Sequence, residues 1–185
     1  MNSSIRAKRA IGAMFVGGFG YIWIMSWAVQ AHPWNWALLA GITLLASILM
    51  VTAVNVYRTN KSATVDCENS EANKKTNRIF HIINAAQWIC VFIIANVLNN
   101  LGKSEWIVAA IIVVVGLHFI PLARLFRYFP HYVVGTALII WATCYPSITP
   151  GGATDALGCL GTGVILWCSA LFALTKKTAA LKDSV

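Results

Sequence analysis

Six stretches of this chain are apolar and free of Lys, Arg, Asp and Glu, and polar gaps separate them. They lie at about 10–30, 36–57, 79–98, 106–123, 132–145 and 156–174. A helix that crosses the hydrocarbon of a bilayer needs roughly 20 such residues, within a range of about 17–25. In that hydrocarbon every backbone N–H and C=O must be satisfied inside the segment, so a single apolar run can cross only as a helix. The fifth stretch is short by this measure unless residues 129–131 extend it. The expectation is an all-α integral membrane bundle of six transmembrane helices, one transmembrane domain over residues 1–185.

Composition closes off the alternatives. Hydrophobic residues make up 58% of the chain and charged residues 11%, against about 25% charged in a typical soluble domain. So few charges cannot cover the surface of a soluble fold, and the same numbers exclude a disordered tail or a coiled coil. The formal net charge of +8 would point to nucleic acid in a soluble protein. Here the charges sit in the gaps between apolar runs, where the positive-inside rule accounts for them.

Orientation follows from those gaps. Of the 14 Lys and Arg, all but Lys103 fall in the amino terminus, the second-to-third connection, the fourth-to-fifth connection and the carboxyl tail. Alternate connections are nearly bare of cations. Both termini are therefore expected in the cytoplasm, which requires an even number of spans. Trp27, Trp34, Trp36, Trp106 and Tyr145 cluster at the outer ends; Tyr57, Tyr128, Phe129 and Tyr132 cluster at the inner ends, as interfacial aromatic belts do. The first stretch also follows Arg6–Arg9 and precedes Val29-Gln30-Ala31, which invites a signal-peptide reading. Its run of about 20 residues exceeds the 7–15 of a signal core, so a retained helix is expected.

The loop 58–78 is the one polar segment, and reads as a solvated connector or a partner-binding loop. Cys67, Cys90, Cys144, Cys159 and Cys168 are odd in number and form no C-x-x-C pair. Most are apolar fillers by this reading. Cys144 and Cys159 fall near the outer ends of neighbouring spans, but nothing in their spacing fixes a bridge. Gly158-x-x-Gly161-x-Gly163 and Ala13-x-x-x-Gly17 are read as small residues that let helices approach closely. The glycine run is not a nucleotide turn, because no strand precedes it.

Chemistry is bounded by what the spans lack. The acids Asp66, Glu68, Glu71, Glu105, Asp155 and Asp183 all lie outside the middle of a span. That disfavours reactions on paired carboxylates, Asp-bound divalent metals, and proton pumps built on a buried acid. His118 stands apart as an imidazole well inside a span, roughly 7 Å from its inner end near Ala123. The third span brings Asn84 and Gln87 to similar depth on one helix face. The second brings Thr52 and Asn55, the fifth Thr136 and the sixth Ser169. His81 and His131 flank this layer with Arg78, Arg124 and Arg127 beside them.

The expected ligand-binding set is therefore His118, Asn84, Gln87, Asn55, His81, Arg124 and His131. It forms an inward-facing pocket for a neutral hydrogen-bonding solute, an anion or an anionic headgroup. The same residue types also serve as interhelical hydrogen bonds. A bis-histidine haem would need facing histidines, and His81 and His118 differ in depth. A metal on His81, His118 and His131 would lack acidic partners. No cofactor and no metal are expected.

The stretch Leu117-His118-Phe119-Ile120-Pro121-Leu122-Ala123-Arg124-Leu125-Phe126, followed by Tyr132 and Gly135, resembles a segment of small bacterial polytopic membrane proteins. The likeness covers about a fifth of the chain. It implies a bacterial inner membrane and carries no activity across. Arg127-Tyr128-Phe129-Pro130-His131-Tyr132 is similar in content to an Arg-His-Pro-x-Tyr element of isoprenylcysteine-type methyltransferases. The order differs and no later Arg/Glu element follows, so nothing is carried from it.

Three functions remain. A permease or channel-like protein for a small solute or anion would centre on His118, Asn84 and Gln87. A membrane-embedded enzyme acting on a lipid or isoprenoid would use His118 as acid/base and the arginines for phosphate. A non-catalytic accessory subunit would bind a partner through 58–78. The missing acids place the permease ahead of the enzyme. Expected partners are the anionic headgroups of the cytoplasmic leaflet, a small solute or lipid, and a second copy or another protein, with no nucleic acid.

Overall fold

The computed structural model describes residues 2–61 and 71–175. Six helices make up almost all of them: α1 Asn2–Ala31, α2 Trp36–Asn60, α3 Glu71–Asn100, α4 Ile107–Phe126, α5 Pro130–Ile148 and α6 Leu157–Thr175. Short 3-10 turns at Ser104–Trp106 and Gly152–Thr154 lead into α4 and towards α6. Each helix covers one of the six apolar stretches. Five of the six, α5 excepted, are long and apolar enough to cross a membrane. Residues 62–70 of the polar loop, Cys67 among them, and the basic tail from 176 onward lie outside the described residues.

Local chemistry sets the boundaries. Asn35 caps α2 by accepting the Leu38 N–H at 3.0 Å, which satisfies one of the orphan amides of the first turn. Pro130 opens α5 at a position where its missing N–H costs nothing. Pro121 lies inside α4, and the helix runs on through it to Phe126. α1 and α3 start earlier than their apolar runs. At 30 residues each they reach about 45 Å, more than the ~30 Å of hydrocarbon. Their basic first turns, with Arg6, Lys8 and Arg9 on one and Lys74, Lys75 and Arg78 on the other, precede the apolar runs.

The core is built by α4, α5 and α6. Ile112, Phe119, Val134, Leu138, Ala142, Tyr145 and Leu166 form one buried cluster, and Val16 and Trp23 of α1 pack against it. α1 lies antiparallel along α6, with Ala13 and Ala170 in a second cluster shared with Leu49 and Ala53 of α2. α2 flanks this core on the α1 side, and α3 flanks it on the α4 side. No described residue of α3 is buried.

Two helix crossings are made by glycine facing glycine. A Cβ on Gly116 of α4 would stand 2.8 Å from the Gly135 carbonyl oxygen of α5. A Cβ on Gly163 of α6 would stand 2.8 Å from the Gly20 carbonyl oxygen of α1. Gly158 gives its space to the Tyr145 ring, Gly161 to the Trp141 indole, and Gly17 to Leu49. The small residues singled out in the sequence are thus sites of close approach. Two indoles tie these contacts: Trp167 Nε1 donates to the Gly17 carbonyl at 3.0 Å and Trp141 Nε1 to the Gly158 carbonyl at 3.1 Å.

Hydroxyls within the helices bond to their own backbone. Ser26, Thr43, Ser47, Thr52 and Thr162 each donate to the carbonyl four residues earlier. That disposes of a polar group in an apolar medium without a partner helix. Tyr145 departs from its expected place in the outer aromatic belt. It is fully buried, stacks on Trp141, and donates its O–H to the Ala153 carbonyl at 2.9 Å. Trp34 and Trp36 are exposed at that end.

Because successive helices alternate in direction, the described ends Asn2 and Thr175 lie at the same end of the bundle. The described cations Arg6, Lys8, Arg9, Arg58, Lys61, Lys74, Lys75, Arg78, Arg124 and Arg127 gather there too. Lys103, Glu105 and Asp155 are at the opposite end.

Candidate functional site

The expected polar layer divides into a seam and its outliers. Half-buried positions on α3 recur at Phe80, Asn84, Gln87, Val91, Ala95 and Leu98. That spacing of three and four is the stripe that packs on α4. Asn84 and Gln87 therefore lie on the α4 side of α3. His118 approaches the Ile83 backbone from α4. Asn84, Gln87 and His118 thus belong to one interhelical seam in the cation-rich half of the bundle.

Other members of the expected set lie elsewhere. Asn55 is exposed on α2, which packs on α1 and briefly on α6, on the far side from the seam. It is not part of this layer. Thr52 is likewise exposed and bonded to its own helix, and Thr136 is exposed. His81 is exposed beside Phe80. Arg124 is exposed in the last turn of α4.

His131 is the member that gains most from the fold. It sits in the first turn of α5, close enough to His118 for the two imidazoles to interact electrostatically. Its ring is 5.0 Å from that of Tyr128, 5.5 Å from Phe119 and 6.4 Å from Phe126. Phe80 of α3 closes the cluster at 5.8 Å from Phe126. The Arg9 guanidinium of α1 lies over the Tyr128 ring, 5.6 Å from its centroid, in cation–π range.

Two polar atoms in this cluster are buried and unpartnered: the Tyr128 hydroxyl and His131 Nδ1. Each such atom costs about 1–3 kcal/mol. The turn between them and α4 carries a third cost. Arg127 ends α4 in the left-handed conformation, with φ 49°. Its N–H donates to the Arg124 carbonyl, and the Tyr128 N–H donates to the Ala123 carbonyl, the pattern that usually has glycine at this position. A non-glycine residue there stores about 1–2 kcal/mol. Burial raises the Tyr128 phenol pKa, and the nearby Arg9 charge offsets this in part. The phenol is therefore a protonated donor at neutral pH.

The sequence groups Arg9 with the expected cytoplasmic cations and Tyr128 with an aromatic belt, and pairs neither with His131. Only tertiary packing brings the start of α1 onto the α4–α5 turn. A groove of about 220 Å³ between α1 and α2, lined by Gly17, Tyr21, Thr43 and Ser47 among others, is a weaker candidate. Its polar groups are already used: the Tyr21 and Thr43 hydroxyls bond at 3.2 Å, and Ser47 bonds to its own helix. Cys90, Cys144, Cys159 and Cys168 are all free thiols, so Cys144 and Cys159 are not bridged. No family model, curated protein or solved structure matches the chain.

Proposed function

We propose that this chain is a six-span membrane protein with both termini in the cytoplasm, residing in a bacterial inner membrane. In this reading it is a permease or channel-like protein that passes a small solute or anion through a polar site in the cytoplasmic half. α5 would be the sixth span. It runs antiparallel beside α4 from the Phe119–His131 contact to the buried layer of Ala109 and Tyr145. The gathering of described cations at one end supports the orientation, and anionic headgroups would face that end.

The observation that carries the site is the pair of buried, unpartnered atoms on Tyr128 and His131, beside the His118 seam. A purely structural polar layer would satisfy its own donors. His118, Asn84 and Gln87 would line the deeper part of the path, and Arg124 its mouth. Reconstitution into liposomes tests this. Osmotic swelling is followed with urea, glycerol, potassium chloride and potassium phosphate, with valinomycin present for the salts. At least one solute is expected to enter faster than in empty liposomes, and His118→Ala is expected to change that rate at least about tenfold. A folded wild-type protein that passes none of them, or a variant with unchanged flux, refutes the reading.

A further inference from the structure

The α4–α5 turn concentrates costs that a stable bundle would otherwise shed. Arg127 is held in the left-handed region, and the Tyr128 hydroxyl and His131 Nδ1 are buried without partners three positions apart. Their rings stand edge to face at 5.0 Å. A guanidinium from a different helix, Arg9, lies over the Tyr128 ring. We propose that Arg9, Tyr128 and His131 form a binding site for a phosphate group.

The chemistry selects the ligand. The phenol donates its O–H, and the imidazole donates in its Nδ1–H tautomer. The guanidinium adds fixed positive charge and further N–H donors. An acceptor-only, negatively charged group with several oxygens answers all three, one oxygen to each. Water or a carbonyl could satisfy the two orphan donors but would gain little from the guanidinium beside them. Chloride offers a single centre to groups on three segments of chain. Exposed Arg124 and Arg127 at the same turn add to the positive field that draws an anion in. Both unpartnered atoms are covered, so the phosphate enters as the Arg9 side chain lifts from the Tyr128 ring. The site lies at the cation-rich end, where a headgroup phosphate of the bilayer and free phosphate of the cytosol are both within reach.

This inference rests on reading the inner half as a ligand site, but its test measures binding and not flux. A protein that moves solutes without holding phosphate is thereby told apart from one that holds phosphate without moving solutes. The full chain in maltoside micelles is unfolded by heat and followed by tryptophan fluorescence. Potassium phosphate is titrated against potassium chloride at matched ionic strength. Short-chain phosphatidylglycerol is titrated against the matching diacylglycerol. The melting temperature is expected to rise with the phosphate-bearing member of at least one pair.

Without ligand, Tyr128→Phe is expected to melt at or above the wild type, because the hydroxyl has no bond to lose. The same variant, His131→Leu and Arg9→Gln are each expected to bind at least about tenfold more weakly. A shift with inorganic phosphate assigns the site to a free anion; a shift with the lipid alone assigns it to a headgroup. No shift with either in the wild type overturns the proposal. So do shifts that the variants leave unchanged, or a ligand-free Tyr128→Phe protein that melts lower.

Discussion

Gly135→Ala is expected to separate α4 from α5. The added Cβ would stand 2.6 Å from the Gly116 carbonyl oxygen and 3.1 Å from the Phe119 Cβ. Carbon–oxygen contacts between close helices normally sit at about 3.3–3.6 Å, so the overlap is roughly 0.7 Å. The obstacle is backbone and cannot rotate aside. The two helices must part along a face that holds Phe119, Val134 and Leu138 in the core. Overpacking of this kind costs about 1–3 kcal/mol, and the core on both sides of the crossing puts this case at the upper end, about 2–3 kcal/mol. Gly41→Ala is the control. Nothing lies within 4 Å of its Cβ, so the change should be neutral or gain up to about 1 kcal/mol of helix propensity. Both variants are unfolded in mixed micelles of rising SDS content, with tryptophan fluorescence as the readout. The two should differ by at least about 2 kcal/mol, more than tenfold in the folded-to-unfolded ratio. A Gly135→Ala protein within about 0.5 kcal/mol of the wild type, or a Gly41→Ala protein that loses as much, would refute the crossing as described.

Three further outcomes are expected. Tyr145→Phe removes the bond to the Ala153 carbonyl and leaves that buried acceptor unmet, at a cost of about 1–3 kcal/mol; amides of 149–156 should exchange faster by hydrogen-exchange mass spectrometry. Arg127→Gly relieves a left-handed arginine; the strain of about 1–2 kcal/mol, less the entropy glycine adds to the unfolded chain, should leave a small net rise in melting temperature. A cysteine at Lys103 in an otherwise Cys-free chain should react with an impermeant maleimide added outside intact cells, and one at Lys61 should react only after the membrane is opened, since the two positions are at opposite ends of the bundle.

Much of this architecture is legible in the amino-acid order. A long uncharged apolar run favours a helix, which satisfies its backbone within the segment, and each of the six stretches coincides with a helix. The gaps carry the charge that sorts the ends. Glycine spacing also carried information, since Gly163 and Gly17 prove to be sites of contact between helices. What the order does not encode is which helix neighbours which. An apolar run presents a similar surface on every side, so no periodicity says that α2 lies against α1 and α6, away from α3 and α4. Depth alone groups Asn55 with Asn84, and depth says nothing about angular position in a bundle. The depth of Tyr145 likewise fits an interfacial belt, but the space left by Gly158 draws it inward. The meeting of Arg9, Tyr128 and His131 depends on a crossing between distant parts of the chain, and no local pattern announces it.

The site itself is tested most directly by native mass spectrometry of the protein extracted gently from its own membrane. The account predicts a phosphate-bearing ligand retained in stoichiometric amount by the wild type and lost from His131→Leu, with the variant otherwise folded. A bare wild-type protein, or a ligand that the variant holds equally well, would contradict it.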